Sequence, residues 1–314
     1  MALVRHVPVL LDEVLRLLNP QPGEVVVDCT AGLGGHSIAL GKKVLPGGNV
    51  VGFDLDQSNL DIAKPQAAAE GVDFTAVHAN FVQVPEYFAR KKIQADIVFA
   101  DLGFSSNQMD DPDRGFSFSV DGPLDMRLDQ ANPITAADVL ATISEKDLAD
   151  LIFRYGEDPL ARRIARKLVQ NRAKAPIATT ARLAGLVTEA YGPRARSSRM
   201  HPATRTFMAL RIALNDELGS LRGLLDQVRE AAEGLNQKVD RAAWLRAGAR
   251  IGIIAFHSLE DRMVKHTFAD LAKRSLGTLL TKKPIIATEV EVKANPRSRS
   301  AKLRVITIGD PLKP

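Results

Sequence analysis

The sequence predicts an α/β protein: a doubly wound, largely parallel sheet interrupted by an all-helical insertion. Three observations lead there. Short, β-branched apolar runs recur at 24–29, 49–54, 73–78 and 95–101, with helix-like segments at 35–45, 57–70 and 84–91 between them. The next such run comes only at 249–256, far downstream. The chain between them, over 144–213, is patterned for helices with basic faces. Strictly alternating strand and helix implies parallel strands joined by right-handed crossovers.

Taken in order, the first element is an amphipathic helix over 10–18, with apolar residues at 10, 11, 14, 15, 17 and 18, on helical spacing. Pro20-Gln-Pro22-Gly23 ends it. The four runs that follow are each closed by turn signals, as buried parallel strands are. After Asp101 the rhythm stops, and residues 105–140 are rich in Asp, Gly, Pro and Ser. Beyond the basic helices, a long helix is expected from Thr204, as N-cap, to about Leu235. Ser258-Leu-Glu-Asp261 reads as a capping sequence opening a helix after the fifth strand. Alternating segments at 285–292 and 302–308 predict a terminal hairpin. The expected division is a discontinuous α/β domain, 1–108 with 214–314, carrying a helical, basic insert over 109–213. No internal repeat or low-complexity tract interrupts this pattern.

Composition narrows the function. The chain of 314 residues is 45% hydrophobic and 25% charged, an ordinary globular balance. No apolar run approaches the ~18–20 residues of a membrane span, and the first residues lack the pattern of a secretory or transit peptide. A cytoplasmic protein is therefore expected, with no membrane partner. The single Cys29 excludes an internal disulfide and a Cys-based zinc cluster. No metal site is expected; Asp110-Asp111-Pro-Asp113 reads as a turn. Net charge is +5 but uneven: −4 over 1–104, +3 over 105–213 and +6 over 214–314. Between Leu160 and Ala213 stand twelve basic residues and one acid, Glu189. A charge run is usually a solvated helix face. This one includes Arg194-Ala-Arg196-Ser-Ser-Arg199, and its length points to a polyanion.

The cofactor signal lies in Val25-Val-Val27-Asp28-Cys29-Thr30-Ala31-Gly32-Leu33-Gly34-Gly35-His36, a strand, Gly-rich turn and helix start. Glycines there let backbone N–H groups approach a ligand. Asp54 ends the second run, where a carboxylate can accept from both hydroxyls of an adenosine ribose. Asn80-Phe81 follows the third run and Asp101 ends the fourth. Ser37 stands where a dinucleotide fingerprint wants its third Gly, and Asp28 before the turn suits a cationic sulfonium better than a pyrophosphate. S-adenosyl-L-methionine is thus expected over NAD. Alternatives stand beside each residue: Phe81 as core packing, Asp28 as a turn acceptor, His36 as a helix-start partner.

With Asp101-Leu-Gly-Phe-Ser105-Ser106 the chain resembles the ribosomal RNA small subunit methyltransferase H family, bacterial N4-cytidine methyltransferases of 16S rRNA. The likeness also runs through His6-Val-Pro-Val-Leu-Leu-Asp12-Glu13, Gly34-Gly35-His36-Ser37, Arg114-Gly-Phe-Ser-Phe118, Asp121-Gly-Pro-Leu-Asp-Met-Arg127, His201-Pro-Ala-Thr-Arg-Thr-Phe207, Phe256-His-Ser-Leu-Glu-Asp-Arg262 and Asn295-Pro-Arg-Ser-Arg-Ser300. The resemblance implies a Rossmann-like methyltransferase sheet with an inserted helical domain that helps recognise RNA. It also implies cofactor contacts at Gly34, Gly35, His36, Asp54, Phe81, Asp101 and Gln108, and a target cytidine in the decoding region of the small subunit. Two departures stand out: Asn107 occupies a position where the family usually has Pro, and the segment from Gln237 to Ala247 is longer than expected.

The chemistry constrains the remaining residues. The exocyclic amine of cytosine is a weak nucleophile, so it must be held in line and hydrogen-bonded. Asp101 is the candidate catalytic acceptor, with Ser105 and Ser106 beside it in sequence. Carbon-5 methylation would need a Cys nucleophile, and Cys29 beside the cofactor turn reads as core filling. The target base must be unpaired or flipped; Phe104, Phe116 and Phe118 are candidates to stack on it, with core packing as the alternative. His257 is a candidate substrate contact, and His201 and Arg205 candidate phosphate contacts. The sequence leaves a homodimer open.

Overall fold

The computed structural model describes residues 8–197, 200–237 and 244–309. The chain forms two compact units: one takes it up to Gly103 and again from Leu218, the other is Phe104–Glu217. The expected insert, 109–213, lies inside the second. The first unit begins with α1 (Leu11–Leu18), β1 (Val25–Asp28), α2 (Gly35–Val44), β2 (Asn49–Asp54), α3 (Gln57–Ala69), β3 (Phe74–His78), α4 (Val84–Lys91) and β4 (Ala95–Asp101). The second unit holds α5 (Ser106–Asp110), α6 (Ala136–Thr142), α7 (Glu145–Gly156), α8 (Ala161–Arg172), α9 (Thr180–Tyr191) and α10 (Ala203–Leu214). The chain returns through α11 (Glu217–Gln237), β5 (Leu245–Ala255), α12 (Ser258–Lys273), β6 (Gly277–Leu279), β7 (Ile285–Ile286), α13 (Glu289–Ala294) and β8 (Lys302–Ile308).

The strands make one sheet in the order β3-β2-β1-β4-β5-β8-β6, with β7 also on β8. Strands β1 to β5 are parallel, and β8 runs antiparallel to β5, β6 and β7. Alternate residues feed opposite layers, as the two-residue period of a strand requires. Val26, Val50 and Ile97 pack under α1, α2 and α3 with Leu18, Leu40 and Leu60. Val27, Val51 and Val98 face the other way, onto Phe88 of α4, Leu224 of α11 and Phe268 of α12. Order reverses between β1 and β4, so the crevice beyond their carboxyl ends is the place where such a sheet takes a ligand. The second unit has a core of its own, with Leu148, Ile152, Ile164, Leu183 and Leu210 among its buried members.

Several expectations change. The helix expected over 204–235 is two helices, and Thr204 does not cap the first, which starts at Ala203 after Pro202. Asn215 breaks it: its amide donates to the Arg211 and Met126 carbonyl oxygens and its side-chain oxygen accepts from Leu128 N–H. Such local bonds compete with continuing the helix, and Asp216 then turns left-handed at φ 47. The expected terminal hairpin is mostly absent. Only Ile285–Ile286 pairs with β8; Thr288 then caps α13 by accepting from Glu291 N–H at 3.2 Å. The long segment from Gln237 to Ala247 ends in buried Trp244 and the start of β5, while 238–243 lie outside the described residues. So do His6 and Val7 of the first family block and Ser198 and Arg199 of the Arg-rich loop.

Candidate active site

Four strand ends and the turns after them build the site in the first unit. β1 ends at Asp28, which is fully buried. The Ser37 hydroxyl donates to its Oδ2 at 2.6 Å and Thr30 N–H to its Oδ1 at 3.1 Å. Burial outweighs those bonds and, with the nearby Asp54 charge, pushes its pKa up from 3.8 to about 6. β2 ends at Asp54, whose Oδ2 accepts from Gly32 N–H at 2.7 Å and Oδ1 from Asp56 N–H at 2.8 Å. It too is lifted by burial to about 6. The turn between β1 and α2 is thereby tied to the β2 carboxylate. Gly34 sits at φ +88, the left-handed region, and a Cβ on Gly35 would stand 2.7 Å from Pro8 Cγ. These glycines therefore serve internal geometry as well as any ligand. After β3, Asn80 caps a short turn that carries Phe81, half-buried against the sheet core.

β4 ends at Asp101, whose backbone N–H donates to the Thr30 hydroxyl at 2.6 Å. Its Oδ2 lies 3.6 Å from Nδ1 of His36, and its Oδ1 is buried without a hydrogen-bond partner among the described residues. Burial first, then the charges of Asp28 and Glu260, hold its pKa well above the usual carboxylate range. His36, 7% exposed, is fixed by Nε2 against the Val9 carbonyl oxygen at 2.9 Å and by its ring against Phe99. After β5, His257 and not Ser258 is the N-cap of α12: Glu260 Oε2 accepts from Phe256 and His257 N–H, and His257 Nε2 lies 3.1 Å from Glu260 Oε1. Thus Gly34, Gly35, His36, Asp54, Phe81, Asp101 and His257 share one edge of one sheet. Sequence reasoning missed Thr30, Ser37 and Glu260. The visible signal for the last is a Glu three residues after His257, whereas the expected capping sequence starts one residue later, at Ser258, with Asp261 in that place.

The remaining expected residues lie in the second unit. Ser105 caps α5, Ser106 opens it, and buried Gln108 accepts from Ser105 N–H at 2.9 Å through its side-chain oxygen. Phe104 stacks on Phe116 at 5.0 Å, and Phe118 packs on Phe207 and His201; core packing is what these rings do here. His201 is exposed, its Nδ1 accepting from Ala203 N–H, and Arg205 donates to the Glu157 carbonyl oxygen at 2.8 Å. Both line a cleft of about 540 Å³ with Tyr191, Arg194 and Met200. Arg162, Arg163, Arg166, Arg182, Arg194 and Arg196 are exposed on this unit.

The first unit's edge suits a cationic nucleoside-type ligand. Among the described residues no Lys or Arg pairs with Asp28, Asp54 or Asp101, so a positive ligand is what would draw these buried carboxyls into their charged form. Asp54 keeps unused lone pairs for ribose hydroxyls, and Asp101 Oδ1 has no hydrogen-bond partner among the described residues. No group of three or more His, Cys, Asp or Glu is arranged to hold a metal ion among the described residues. No helix there is long and apolar enough to cross a membrane.

Comparison with known proteins agrees with this geometry. The profile of the MraW methylase family matches residues 3–308. Ribosomal RNA small subunit methyltransferase H of Nitratidesulfovibrio vulgaris is 44% identical over 95% of this chain and 84% of its own length. The protein of that name from a Cyanothece species is 44% identical over 96% of this chain and 93% of its own. That from Symbiobacterium thermophilum is 42% identical, covering 96% of each.

Proposed function

The chain belongs to the MraW methylase family, and from that premise we propose that it methylates the N4 amino group of a cytidine in the decoding region of 16S rRNA. S-adenosyl-L-methionine, when bound, supplies an electrophilic methyl on a positively charged sulfur. The observation that carries this reading is the cluster of under-neutralised carboxyls, Asp28, Asp54 and Asp101, at the switch point of the sheet. Asp54 and the backbone of Gly34, Gly35 and His36 hold the cofactor, with Phe81 beside it and Gln108 shaping the loop after β4. Asp101 accepts a hydrogen bond from the substrate amine, localising the nitrogen lone pair and orienting it for in-line attack. The rival, carbon-5 methylation, needs a thiolate. Cys29 is buried, and burial with the adjacent Asp28 charge pushes its thiol pKa up, the reverse of an activated nucleophile.

The exposed arginines of the second unit, with His201 and Arg205, grip RNA phosphates in the cytoplasm, where the small subunit is the substrate. On the first unit, His257 contacts the target nucleotide. The test is methyl transfer from labelled S-adenosylmethionine to small subunits lacking the mark, beside naked RNA, followed by mass spectrometry of nucleosides. N4-methylcytidine is the expected product, with subunits preferred. Cofactor binding without any labelled nucleoside would remove the substrate assignment and leave the fold.

A further inference from the structure

We propose that Arg299, on the basic turn just before β8, grips an RNA phosphate beside the target nucleotide, so that the first unit holds a stretch of substrate backbone of its own. The inference rests on the reading that RNA is the substrate. From Lys293 to Arg304 the chain carries five basic residues and no acid. Strand register fixes where that run lies. Asp101 pairs with Ile254 of β5, and Ile254 with Leu303 of β8, so the three stand in one row across the sheet. β8 runs antiparallel to β5, and the residues before Lys302 therefore project past the carboxyl ends of β4 and β5. That is the side on which such a sheet takes its ligand. Neighbouring strands lie about 4.8 Å apart, which puts β8 roughly 10 Å from β4. The span is close to the one between the exocyclic amine of a cytidine and its own phosphate. A base whose amine meets Asp101 can thus lay its backbone along the amino end of β8.

The turn is held in shape from inside. Pro296–Ser300 is a 3-10 turn, and buried Ser298 pins it: its N–H and its hydroxyl both donate to the Asn295 carbonyl oxygen, at 3.0 and 2.8 Å, and its own carbonyl oxygen accepts from Ala301 N–H at 3.0 Å. Arg297 and Arg299, on either side of it, are exposed. Behind them Lys302 and Arg304 both reach Asp261, at 3.4 and 2.7 Å, two cations on one carboxylate. Arg262 and Lys265 add exposed positive charge from α12. A charge run is usually a solvated face, but this one is anchored by a buried side chain and set at the ligand edge, with cations in excess. A guanidinium presented in that way matches the paired oxygens of a phosphodiester.

The experiment measures binding of a decoding-region fragment of 16S rRNA by the full chain, with S-adenosylmethionine binding as the check that each variant is folded. Arg299→Ala should leave cofactor affinity unchanged, weaken RNA binding roughly five- to tenfold at low salt, and make the slope of log K against log salt shallower by about 1. Arg299→Lys should restore the slope, because a phosphate contact needs the charge. A second RNA carries uncharged methylphosphonate linkages on both sides of the target cytidine. Wild type should bind it more weakly than native RNA, and Arg299→Ala should lose less by the same exchange. Equal losses in the two proteins, a salt slope that Arg299→Ala leaves at the wild-type value, or a wild type that binds no RNA would overturn the proposal. RNA bound with the expected dependences yet never methylated would remove the cytidine assignment and leave this contact standing.

Discussion

Asp28 sits wholly inside the protein, and its two hydrogen bonds do not offset that burial, which lifts its pKa from 3.8 to about 6. A carboxyl that binds its proton more tightly folded than unfolded stabilises the fold fully below the unfolded value, near pH 4. That contribution is lost as pH rises through 6. A shift of about two units corresponds to on the order of 3 kcal/mol. Asp28→Asn removes the titration while keeping the shape. Unfolding of the cofactor-free protein should therefore show the variant gaining on wild type by roughly that amount between pH 4 and 7. A difference that stays constant with pH would contradict the buried-carboxyl account. Asp54 and Asp101 were legible in the sequence because each ends an apolar run, and Asp28 because it stands before the Gly-rich turn. Their partners were less so. Thr30 reaches Asp101 from 71 residues away in the chain, and Glu260 bears on it from another element; neither relation leaves a mark in local pattern.

Helices α7 and α10 cross at Gly156, where a Cβ would stand 2.8 Å from the Arg205 carbonyl oxygen and 3.5 Å from Ala209 Cβ. Gly156→Ala should force the pair apart and destabilise the protein by about 1–3 kcal/mol, read from the midpoint of urea unfolding. An unchanged midpoint would mean the crossing has room to spare. Elements bounded by strong signals could be read in advance: β2, β4 and α4 have the expected limits. The failures share a cause, a side chain bonding to backbone where periodicity alone predicts continuity. Asn215 stops α10 by tying itself to Met126 and Leu128, and Thr288 turns an alternating stretch into α13. In α13 Val290 points into solvent, 78% exposed, so alternation there carries no information about a sheet.

Across the whole molecule, the acidic and basic residues of the proposed function fall on different units. The sheet edge gathers carboxyls, which the proposed function gives to a cation, and the helical unit displays arginines, which it gives to a polyanion. Neutralising one phosphate contact, as in Arg194→Ala, should weaken binding of 16S rRNA and make the slope of log K against log salt shallower by about 1. A salt slope identical to wild type would place Arg194 off the RNA path. The order of elements along the chain has another consequence, for synthesis. β4 pairs with β1 on one side and β5 on the other, yet all of Phe104–Glu217 is made between them. On the ribosome, β4 must wait with one edge bare while the helical unit, rich in local contacts, closes first. Each newly made molecule thus passes through a stage in which its helical unit is finished and its sheet is still half built.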